Sequence, residues 1–415
     1  MVNVVEKVQA GEKLPKGWKW VKLGDVCDTS TENRDPRLMP DLPFQYVDIA
    51  SVDNASKRIL DFKTLLGKDA PSRARQVIRT GNVIVSTTRP NLNAVALVPQ
   101  ELENQICSTG FCVLRPSKAI EPSYLFNFVQ SSEFVQNLSN LVKGALYPAV
   151  TDRQVLAQSI PLPPLPEQKR IVGILSDRLT AIDKARIATE AQLKAAKALP
   201  AAYLRQVFDS PEAQKWKRKK FGDIALTVQN GVYKSSEYYG HGYPFIRMYN
   251  IQNTSWNLNL DTLAQVSLDD HELEKFRLEV GDLLISRVNS FELVGKCGLV
   301  SSMAKGYVFE NMLIRVQLID SIDSLFVAQQ MGHCTIRKQV QGVAKQAIGQ
   351  ASINSTDIRN IELMLPSFSE QRTISAKINK ALEQVEKLQQ SLQSQLTTIN
   401  QLPAVILRQA FNGEL

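Results

Sequence analysis

The sequence is poor in the residues on which secreted and membrane proteins depend. Its 415 residues include five cysteines, an odd number, and no Cys-x-x-Cys pair occurs, which favours reduced thiols over a disulfide framework. No apolar run approaches the ~18 residues of a membrane span. The N-terminal segment lacks the apolar stretch of a secretory signal. We therefore expect a cytoplasmic protein that makes no use of a membrane.

The sequence also lacks the motifs of common enzymes. The methyltransferase motif Asp/Asn-Pro-Pro-aromatic, the Gly-x-Gly-x-x-Gly fingerprint and the phosphate loop are all absent. Glu167-Gln168-Lys169 resembles the end of a nuclease site, but an acidic residue at a helix start is explained by the helix dipole. His333 and Cys334 could bind a metal, yet no second pair has ligand spacing. We therefore predict no catalytic residues and no metal site.

What the chain does carry is an excess of positive charge. Its 49 Lys and Arg residues exceed its 41 Asp and Glu residues, for a net charge of +8. Such a balance favours nucleic acid or an anionic surface as a partner, although a basic protein without such a partner is an open alternative. The length is that of two or three domains at roughly 100–200 residues each.

Two segments of the chain are nearly copies of one another. Residues 163–208 align with residues 366–411 without a gap. The first copy begins PPLPEQKRI and ends LPAAYLRQVF, and the second begins PSFSEQRTI and ends LPAVILRQAF. Segments upstream repeat more loosely, for example WKWVKLGDV with WKRKKFGDI and GNVIVS with GDLLIS. The chain is therefore a tandem repeat of a variable domain followed by a constant segment.

Each constant segment has the period of a long helix. Its apolar residues recur about every 3.5 positions, the pattern of a coiled-coil seam. The predicted seam residues are Ile171, Leu175, Ile182 and Leu199 in the first segment, and Ile374, Ile378, Val385, Leu388, Leu392 and Ile399 in the second. Pro200 and Pro403 predict a bend or break late in each helix. Packing of each helix on its own domain is the alternative.

The connectivity predicts the direction of the two helices. The first leads from the first variable domain to the second, and the other starts at the second domain and runs back. The fold class is therefore α/β: two α/β domains separated by two long helices that form an antiparallel coiled coil, with an internal pseudo-two-fold repeat. Short apolar alternations such as GNVIVS and GDLLIS predict the strands of the two domains.

Both variable domains contain side chains suited to base edges, since Arg and Lys pair with guanine and Asn and Gln with adenine. The candidates in the first domain are Arg73, Arg75, Arg89, Asn91, Asn93 and Lys143. The candidates in the second are Gln229, Asn230, Lys234, Asn250, Arg287, Asn289, Lys345 and Gln346. The run KWKRKK at 215–220 suits phosphate contacts, and a solvated linker is the alternative.

The repeated residues carry a family resemblance. PPLPEQKRI followed by a heptad helix, its repeat PSFSEQRTI, and the terminal AFNGEL resemble the two conserved regions of type I restriction-modification specificity subunits. YPFIRMYNI and GDLLISRV resemble that family's target-recognition domains. The resemblance implies recognition domains at 1–165 and 210–368, and spacer helices at 166–209 and 369–415. Ser-Phe-Ser at 367–369, where the first copy has Pro-Leu-Pro, is a departure from the motif.

The resemblance also implies a function and partners. Each recognition domain would bind one half of a split, asymmetric sequence in double-stranded DNA. The helices would dock two modification subunits, which methylate adenine with S-adenosylmethionine, and restriction subunits would join to translocate and cut DNA with ATP. Those cofactors, with Mg²⁺, belong to the partners, so the chain itself is expected to need none. A tandem scaffold that binds only protein and an enzyme of unrecognised type are the two alternatives.

Overall fold

The computed structural model describes residues 14–30, 32–142, 148–252 and 255–415. They form two units. Unit 1 contains the residues up to Thr189 together with Gln395–Leu415, and unit 2 is Glu190–Ser394. The division falls within both long helices, and the domain boundaries given above stay a prediction. No helix in the described ranges is long and apolar enough to cross a membrane.

Unit 1 combines short strands with short helices. Its strands are β1 Lys19–Lys22, β2 Cys27–Asp28, β3 Pro43–Val47, β4 Val52–Asp53, β5 Arg58–Ile59, β6 Lys63–Leu66, β7 Ala74–Ile78, β8 Val83–Ser86, β9 Val95–Leu97, β10 Gln105–Ser108, β11 Phe111–Pro116 and β12 Ser159–Leu162. Its helices are α1 Leu23–Val26, α2 Pro122–Phe128, α3 Ser132–Asn140 and α4 Asp152–Leu156, followed by the first long helix, α5 Leu165–Phe208, which ends in unit 2.

Unit 2 has the same kinds of element. Its strands are β13 Lys217–Lys220, β14 Ala225–Asn230, β15 Tyr239–Ile246, β16 Ala264–Val266, β17 Leu283–Ser286, β18 Val288–Asn289, β19 Cys297–Leu299, β20 Val308–Phe309, β21 Leu313–Leu318, β22 Lys345–Ala347, β23 Gln350–Ser352 and β24 Glu362–Leu365. Its helices are α6 Phe221–Ile224, α7 Asp270–Phe276, α8 Ser324–Met331, α9 Cys334–Val343 and α10 Ser355–Arg359, followed by the second long helix, α11 Phe368–Phe411, which ends in unit 1.

The central sheets and the two-stranded ribbons of the two units have the same topology, whereas the second sheet has four strands in unit 1 and three in unit 2. A four-stranded sheet, which we call the central sheet, has the order β2-β11-β8-β9 in unit 1 and β14-β21-β17-β19 in unit 2. A second sheet contains one parallel pair in each unit, β3 with β10 and β15 with β20. A two-stranded ribbon precedes each long helix, β1 with β12 and β13 with β24. The loose sequence repeat is therefore a repeat of fold.

In each unit, the largest of three apolar clusters packs against the central sheet. In unit 1, Val85 and Leu114 of the sheet pack with Tyr124 and Phe134 of the short helices. In unit 2, Ile285 and Ile314 pack in the same way with Phe326 and Ile336. Strands β8 and β17 are buried along their whole length, which explains why GNVIVS and GDLLIS are nearly continuous apolar runs.

Within each unit, the start of one long helix packs with the end of the other. In unit 1, Ile171 and Leu175 of α5 share a core with Leu407 and Phe411 of α11. In unit 2, Leu204 and Phe208 of α5 share a core with Ile378 of α11. Gln389 Nε2 also donates to Ala196 O over 2.9 Å in unit 2. The helices are therefore antiparallel in both units.

Most of the predicted seam positions are buried or half-buried. Ile171, Leu175, Ile378 and Leu392 are buried, and Ile182, Ile374, Val385 and Ile399 are half-buried.

Leu199 and Leu388, by contrast, are 42% and 45% exposed. A heptad period places them on the seam, but a straight helix turns by about 100° per residue and drifts away from that period. The neighbouring Pro200 is half-buried in place of Leu199, and Gln389 makes the contact with Ala196 in place of Leu388. Both helices continue through Pro200 and Pro403, so neither proline breaks its helix, and the bend stays a prediction.

Candidate nucleic-acid interface

In unit 2, one end of the central sheet gathers polar side chains from separate parts of the sequence. We call it the loop end. It is the end at which β17 stops and β21 begins, since Ser286 pairs with Leu313 there, and Asn230 at the end of β14 pairs with Ile314. The residue after β17, Arg287, donates from Nη1 to Asn311 O over 3.4 Å. The predicted residues Asn230 and Arg287 are thus brought to the same edge.

A small sheet adds three more predicted residues at this end. Strand β18 pairs with β23, and β23 pairs with β22 to form a hairpin. Asn289 and Gln346 are both register partners of Ala351, so they lie two strand spacings apart, about 10 Å. Lys345, next to Gln346, is exposed. Asn289 and Gln346, more than 50 positions apart in sequence, therefore lie on one face of this small sheet, and Lys345 lies on the other.

Unit 1 places its candidates at the equivalent end. Strand β8 ends at Ser86, opposite the first residue of β11, and the following turn carries Arg89, Asn91 and Asn93. Arg73 lies beside them, because its carbonyl accepts from the backbone of Thr109, just before β11. Lys143 lies outside the described residues.

The turn after β8 has an unusual backbone. Arg89 and Asn93 have φ values of 50° and 48°, in the left-handed region. Asn adopts that region more readily than most residues, whereas for an Arg it costs about 1–3 kcal/mol and is most often found at functional sites. The N–H of Arg89 is held by a 2.8 Å bond to Pro148 O. The fold therefore holds Arg89 in a costly conformation that leaves its side chain exposed.

Asn289 Nδ2 donates to Ser286 Oγ over 3.2 Å, and its Oδ1 accepts from Ser290 N over 2.9 Å. Three further predicted residues in unit 2 are occupied by structural contacts. Asn250 is buried, and its Nδ2 donates to Asn259 O and Thr262 O while its Oδ1 accepts from the backbone of Arg247. It organises a loop and cannot reach a base.

Gln229 and Lys234 are the other two. Gln229 Oε1 accepts from Arg315 Nη2 over 2.7 Å. Lys234 forms an ion pair with Glu272, whose hydrogen bond raises the pKa of the Lys234 amine.

Arg75 of unit 1 is likewise engaged. Its Nη1 lies 3.2 Å from Asp35 Oδ1 and donates to Ala74 O, and the side chain is half-buried. Asp35 also binds Arg37, and the hydrogen bond from Arg37 is the main cause that lowers the pKa of Asp35 to about 2. A charge held in such a pair is less available to DNA than the exposed Arg73 or Arg89.

The basic run at 215–220 forms an exposed strand in unit 2. Its residues Lys217–Lys220 make up β13, and all four are exposed. The strand pairs with β24, and Arg218 Nη1 lies 3.9 Å from Glu362. The run is therefore an ordered part of the unit 2 fold, a structure that the linker alternative did not predict.

Two apolar residues at the loop end of unit 2 were missed from the sequence. Ile348 at the tip of the β22–β23 hairpin is fully exposed, and Tyr233 is 79% exposed. Tyr233 lies two residues after Gly231, where a Cβ would lie 2.3 Å from the carbonyl oxygens of Phe309 and Glu310. The sequence could have predicted an exposed Ile348, because an Ile-Gly pair between two polar strands is typical of a turn with an apolar residue at its tip.

The repeated Glu-Gln pair has a structural role in both units. Gln168 is fully buried, and Gln371 is nearly so. Glu167 forms an ion pair with Arg170, and Glu370 accepts hydrogen bonds from Ser367 N and Oγ. The fold therefore accounts for the Glu-Gln-Lys run without a nuclease site.

Comparison with known proteins identifies the repeat. The family model described as type I restriction modification DNA specificity domain matches the chain twice, over residues 15–195 and 213–399. The chain is 27% identical to the type I restriction enzyme EcoKI specificity subunit of Escherichia coli (strain K12), over 97% of this chain and 90% of that protein. It is 24% identical to the StySPI specificity subunit of Salmonella potsdam, with the same coverage.

Solved structures show the same fold. The HsdS subunit from Thermoanaerobacter tengcongensis superposes with a TM-score of 0.72 at 32% identity, covering 98% of this chain and all of that one. A second solved structure concerns complex assembly and conformational transition of the type I R-M system. One of its chains superposes with a TM-score of 0.81 at 32% identity, covering 97% of this chain and all of that one. Two α/β domains with two long helices are therefore shared with these proteins.

Proposed function

The chain belongs to the type I restriction-modification DNA specificity family, and from that premise we propose that it binds a split DNA sequence through the loop ends of its two units. The observation that carries this proposal is the placement of Arg89 and Arg287. Both follow the equivalent strand of the central sheet, β8 and β17, and both stand beside exposed or half-buried asparagines.

The side chains at the two loop ends suit contacts with base edges. Arg pairs with guanine through two hydrogen bonds, and Asn and Gln pair with adenine in the same manner. Unit 1 offers Arg73, Arg89, Asn91 and Asn93, and unit 2 offers Asn230, Arg287, Asn289, Lys345 and Gln346. Because the two sets differ in type and spacing, the two units would recognise unlike half-sites.

Contacts with the DNA backbone would add affinity without sequence preference. The exposed strand β13 carries four basic residues in a row, and Lys or Arg side chains bind phosphates. Ile348 at the hairpin tip would add an apolar contact, since apolar side chains in several DNA-binding proteins pack against bases or between base steps. Unit 2 therefore offers side chains for three kinds of contact that DNA-binding proteins use.

Catalysis would belong to the partners. We propose that the two long helices dock two modification subunits that methylate adenine, that restriction subunits join them, and that all act on double-stranded DNA in the cytoplasm. S-adenosylmethionine, ATP and Mg²⁺ would then be bound by those subunits. The chain would contribute recognition alone.

The test is an exchange of one recognition segment in the complete enzyme. Residues 15–160 are replaced by the corresponding segment of the Escherichia coli EcoKI specificity subunit, and the methylated adenines are mapped in a host that carries the modification subunits. The matched variant exchanges residues 210–365 instead. We expect each exchange to change one half of the methylated sequence and to leave the other half unaltered.

The same experiment distinguishes the alternatives. If one exchange altered both half-sites, the two units would not act separately and the proposal would be wrong. If methylation continued at unchanged sites in both variants, the chain would be a protein-binding scaffold that does not select DNA.

A further inference from the structure

Three side chains of metal-binding type meet in unit 2. Asp209 follows the end of α5, and His333 and Cys334 stand at the start of α9. His333 Nε2 lies 3.1 Å from Asp209 Oδ1 and 3.6 Å from Cys334 Sγ. One possible ligand atom from each residue lies within 4.8 Å of the other two. The third member, Asp209, stands far from the other two in sequence, so ligand spacing could not predict it.

Two of the three separations in the cluster are close to those around a tetrahedral zinc ion, and the third, between Asp209 and Cys334, lies within 4.8 Å. Zinc binds histidine nitrogen at ~2.0–2.1 Å, thiolate sulfur at ~2.3 Å and carboxylate oxygen at ~2.0–2.2 Å, so tetrahedral angles place nitrogen ~3.5 Å from sulfur and ~3.3 Å from oxygen. The observed contacts of 3.6 Å and 3.1 Å are close to these values. His333 is buried, whereas Asp209 and Cys334 are exposed, so an ion could enter from solvent and keep a water as its fourth ligand.

Unit 1 provides an internal comparison. The positions equivalent to His333 and Cys334, just before and at the start of the corresponding helix α3, are Ser131 and Ser132. Ser131 caps α3, because its Oγ accepts from Phe134 N. His333 occupies the cap position of α9 and makes no such bond. A Ser at the N-cap stabilises a helix by about 1 kcal/mol. Helix α9 of unit 2 therefore lacks a stabilising cap hydrogen bond that α3 of unit 1 has.

The third position follows the same pattern. Asp209, one residue beyond the end of α5, corresponds to Asn412, one residue beyond the end of α11. Unit 1 thus has neutral amide and hydroxyl groups at all three positions, and unit 2 has a carboxylate, an imidazole and a thiol. The substitutions coincide at one point of the fold.

His333 also lacks a partner that its burial requires. Its ring packs on Phe208 at a centroid distance of 5.5 Å, and its Nδ1 is buried without a hydrogen bond. Burying a polar nitrogen in this way costs about 1–3 kcal/mol. A metal bond at Nε2 would place the proton on Nδ1, so it would fix the tautomer of the ring without giving Nδ1 a partner.

We propose that Asp209, His333 and Cys334 bind a zinc ion that joins the end of α5 to the start of α9 within unit 2. A sulfur, a nitrogen and an oxygen ligand suit Zn²⁺ better than the hard cations Mg²⁺ and Ca²⁺, which prefer oxygen alone. The thiol of Cys334 gives up its proton to the buffer when the metal binds. The role is structural, and it does not depend on the DNA-binding function proposed above.

The experiment uses the full chain, reduced and stripped of metal with a chelator that is then removed. Zn²⁺ alone is titrated calorimetrically, and Co²⁺ is added in parallel to detect the charge-transfer absorption of a cobalt–thiolate bond. We expect one ion per chain and a higher Tm with Zn²⁺. Asp209→Asn and Cys334→Ser should each weaken binding at least tenfold, and Cys334→Ser should abolish the cobalt–thiolate absorption.

Two further variants keep the test decisive. His241→Asn removes an exposed histidine outside the cluster and should bind Zn²⁺ as the unaltered chain does. The double variant His333→Ser with Cys334→Ser reproduces the serine pair of unit 1, so it should fold with a restored helix cap and bind no ion. Absence of stoichiometric Zn²⁺ binding by the unaltered chain, or a cobalt–thiolate band that survives Cys334→Ser, would overturn the proposal.

Discussion

Gln168 in unit 1 and Gln371 in unit 2 make the same hydrogen bonds at equivalent points of the repeat. Each Oε1 accepts from a backbone N–H just before a short helix, that of Glu121 over 2.8 Å or that of Asp323 over 2.9 Å. Each Nε2 donates to a proline carbonyl at the entry to the long helix, Pro163 or Pro366. The glutamine thus ties the long helix to the α/β part of its unit.

Replacement of Gln371 by Ala should therefore destabilise the chain. The Asp323 N–H and the Pro366 carbonyl would lose their partner in a buried place, a loss of about 1–3 kcal/mol in the free energy of unfolding. Urea unfolding checks this. The matched control is Gln401→Ala on the exposed face of α11, which should change little. Equal unfolding midpoints for the two variants would contradict the role assigned to Gln371.

The seam of α11 can be tested with two leucines that lie four positions apart. Leu392 is 6% exposed and Leu388 is 45% exposed. Leu392→Glu would lose ~1.5–3 kcal/mol of apolar burial and place an unpaired charge in the seam, whereas Leu388→Glu should stay within about 0.5 kcal/mol. Thermal unfolding distinguishes them. Similar losses in both variants would mean that the two leucines share one environment.

Val385, half-buried and also on the seam, should behave like Leu392 with a smaller effect. The double variant Val385→Glu with Leu392→Glu should also impair binding of the modification subunits if the helices dock them. Unimpaired binding at unchanged thermal stability would count against the seam.

The amides at the loop end of unit 2 should influence sequence preference. We expect Asn289→Ala and Gln346→Ala each to relax specificity at one position of one half-site, since a two-bond base contact gives about 1–3 kcal/mol of discrimination. The measurement is the map of methylated adenines in the complete enzyme. Gln265→Ala, an exposed residue of β16, is the control of the same chemical type. Changes in the other half-site would be inconsistent with separate recognition.

Ile348 should matter for DNA affinity and have little effect on folding. Because it is fully exposed at the hairpin tip, Ile348→Ser removes no buried area and should leave Tm unchanged. If DNA buries this side chain, the assembled enzyme should bind its target roughly 10- to 100-fold more weakly. Met303→Ser is the control, because Met303 is also exposed but follows β19 toward the opposite end of the central sheet. Unaltered affinity in Ile348→Ser would exclude an apolar contact at the tip.

A buried carboxyl in unit 2 should give a pH dependence of stability. Burial raises the pKa of Asp282 above its ordinary value of 3.8. The folded chain therefore holds this proton more tightly than the unfolded chain, and the contribution of Asp282 to stability falls as pH rises from the ordinary pKa through the raised one. Asp282→Asn cannot titrate, so the unaltered chain should lose stability relative to this variant over that interval. Urea unfolding at several pH values measures the difference, and Asp261→Asn on the surface is the control. A difference that is constant with pH would contradict the raised pKa.

The sequence alone determined the repeat and both long helices. Their signals are local, because an apolar period and a constant offset depend only on neighbouring residues and on the alignment of two copies. The same holds for Arg89 and Arg287, since each lies within three residues of the end of a recognisable strand.

Only the tertiary structure decided which polar residues meet. Asn289 and Gln346 lie on the same face of a small sheet because both pair with Ala351. The amide of Asn250 cannot contact a base because it donates to neighbouring carbonyls. Leu388 leaves the seam because a straight helix drifts from a heptad period. Contacts such as that of Asp209 with His333 join residues more than 100 positions apart, and packing, which no local pattern encodes, brings them together.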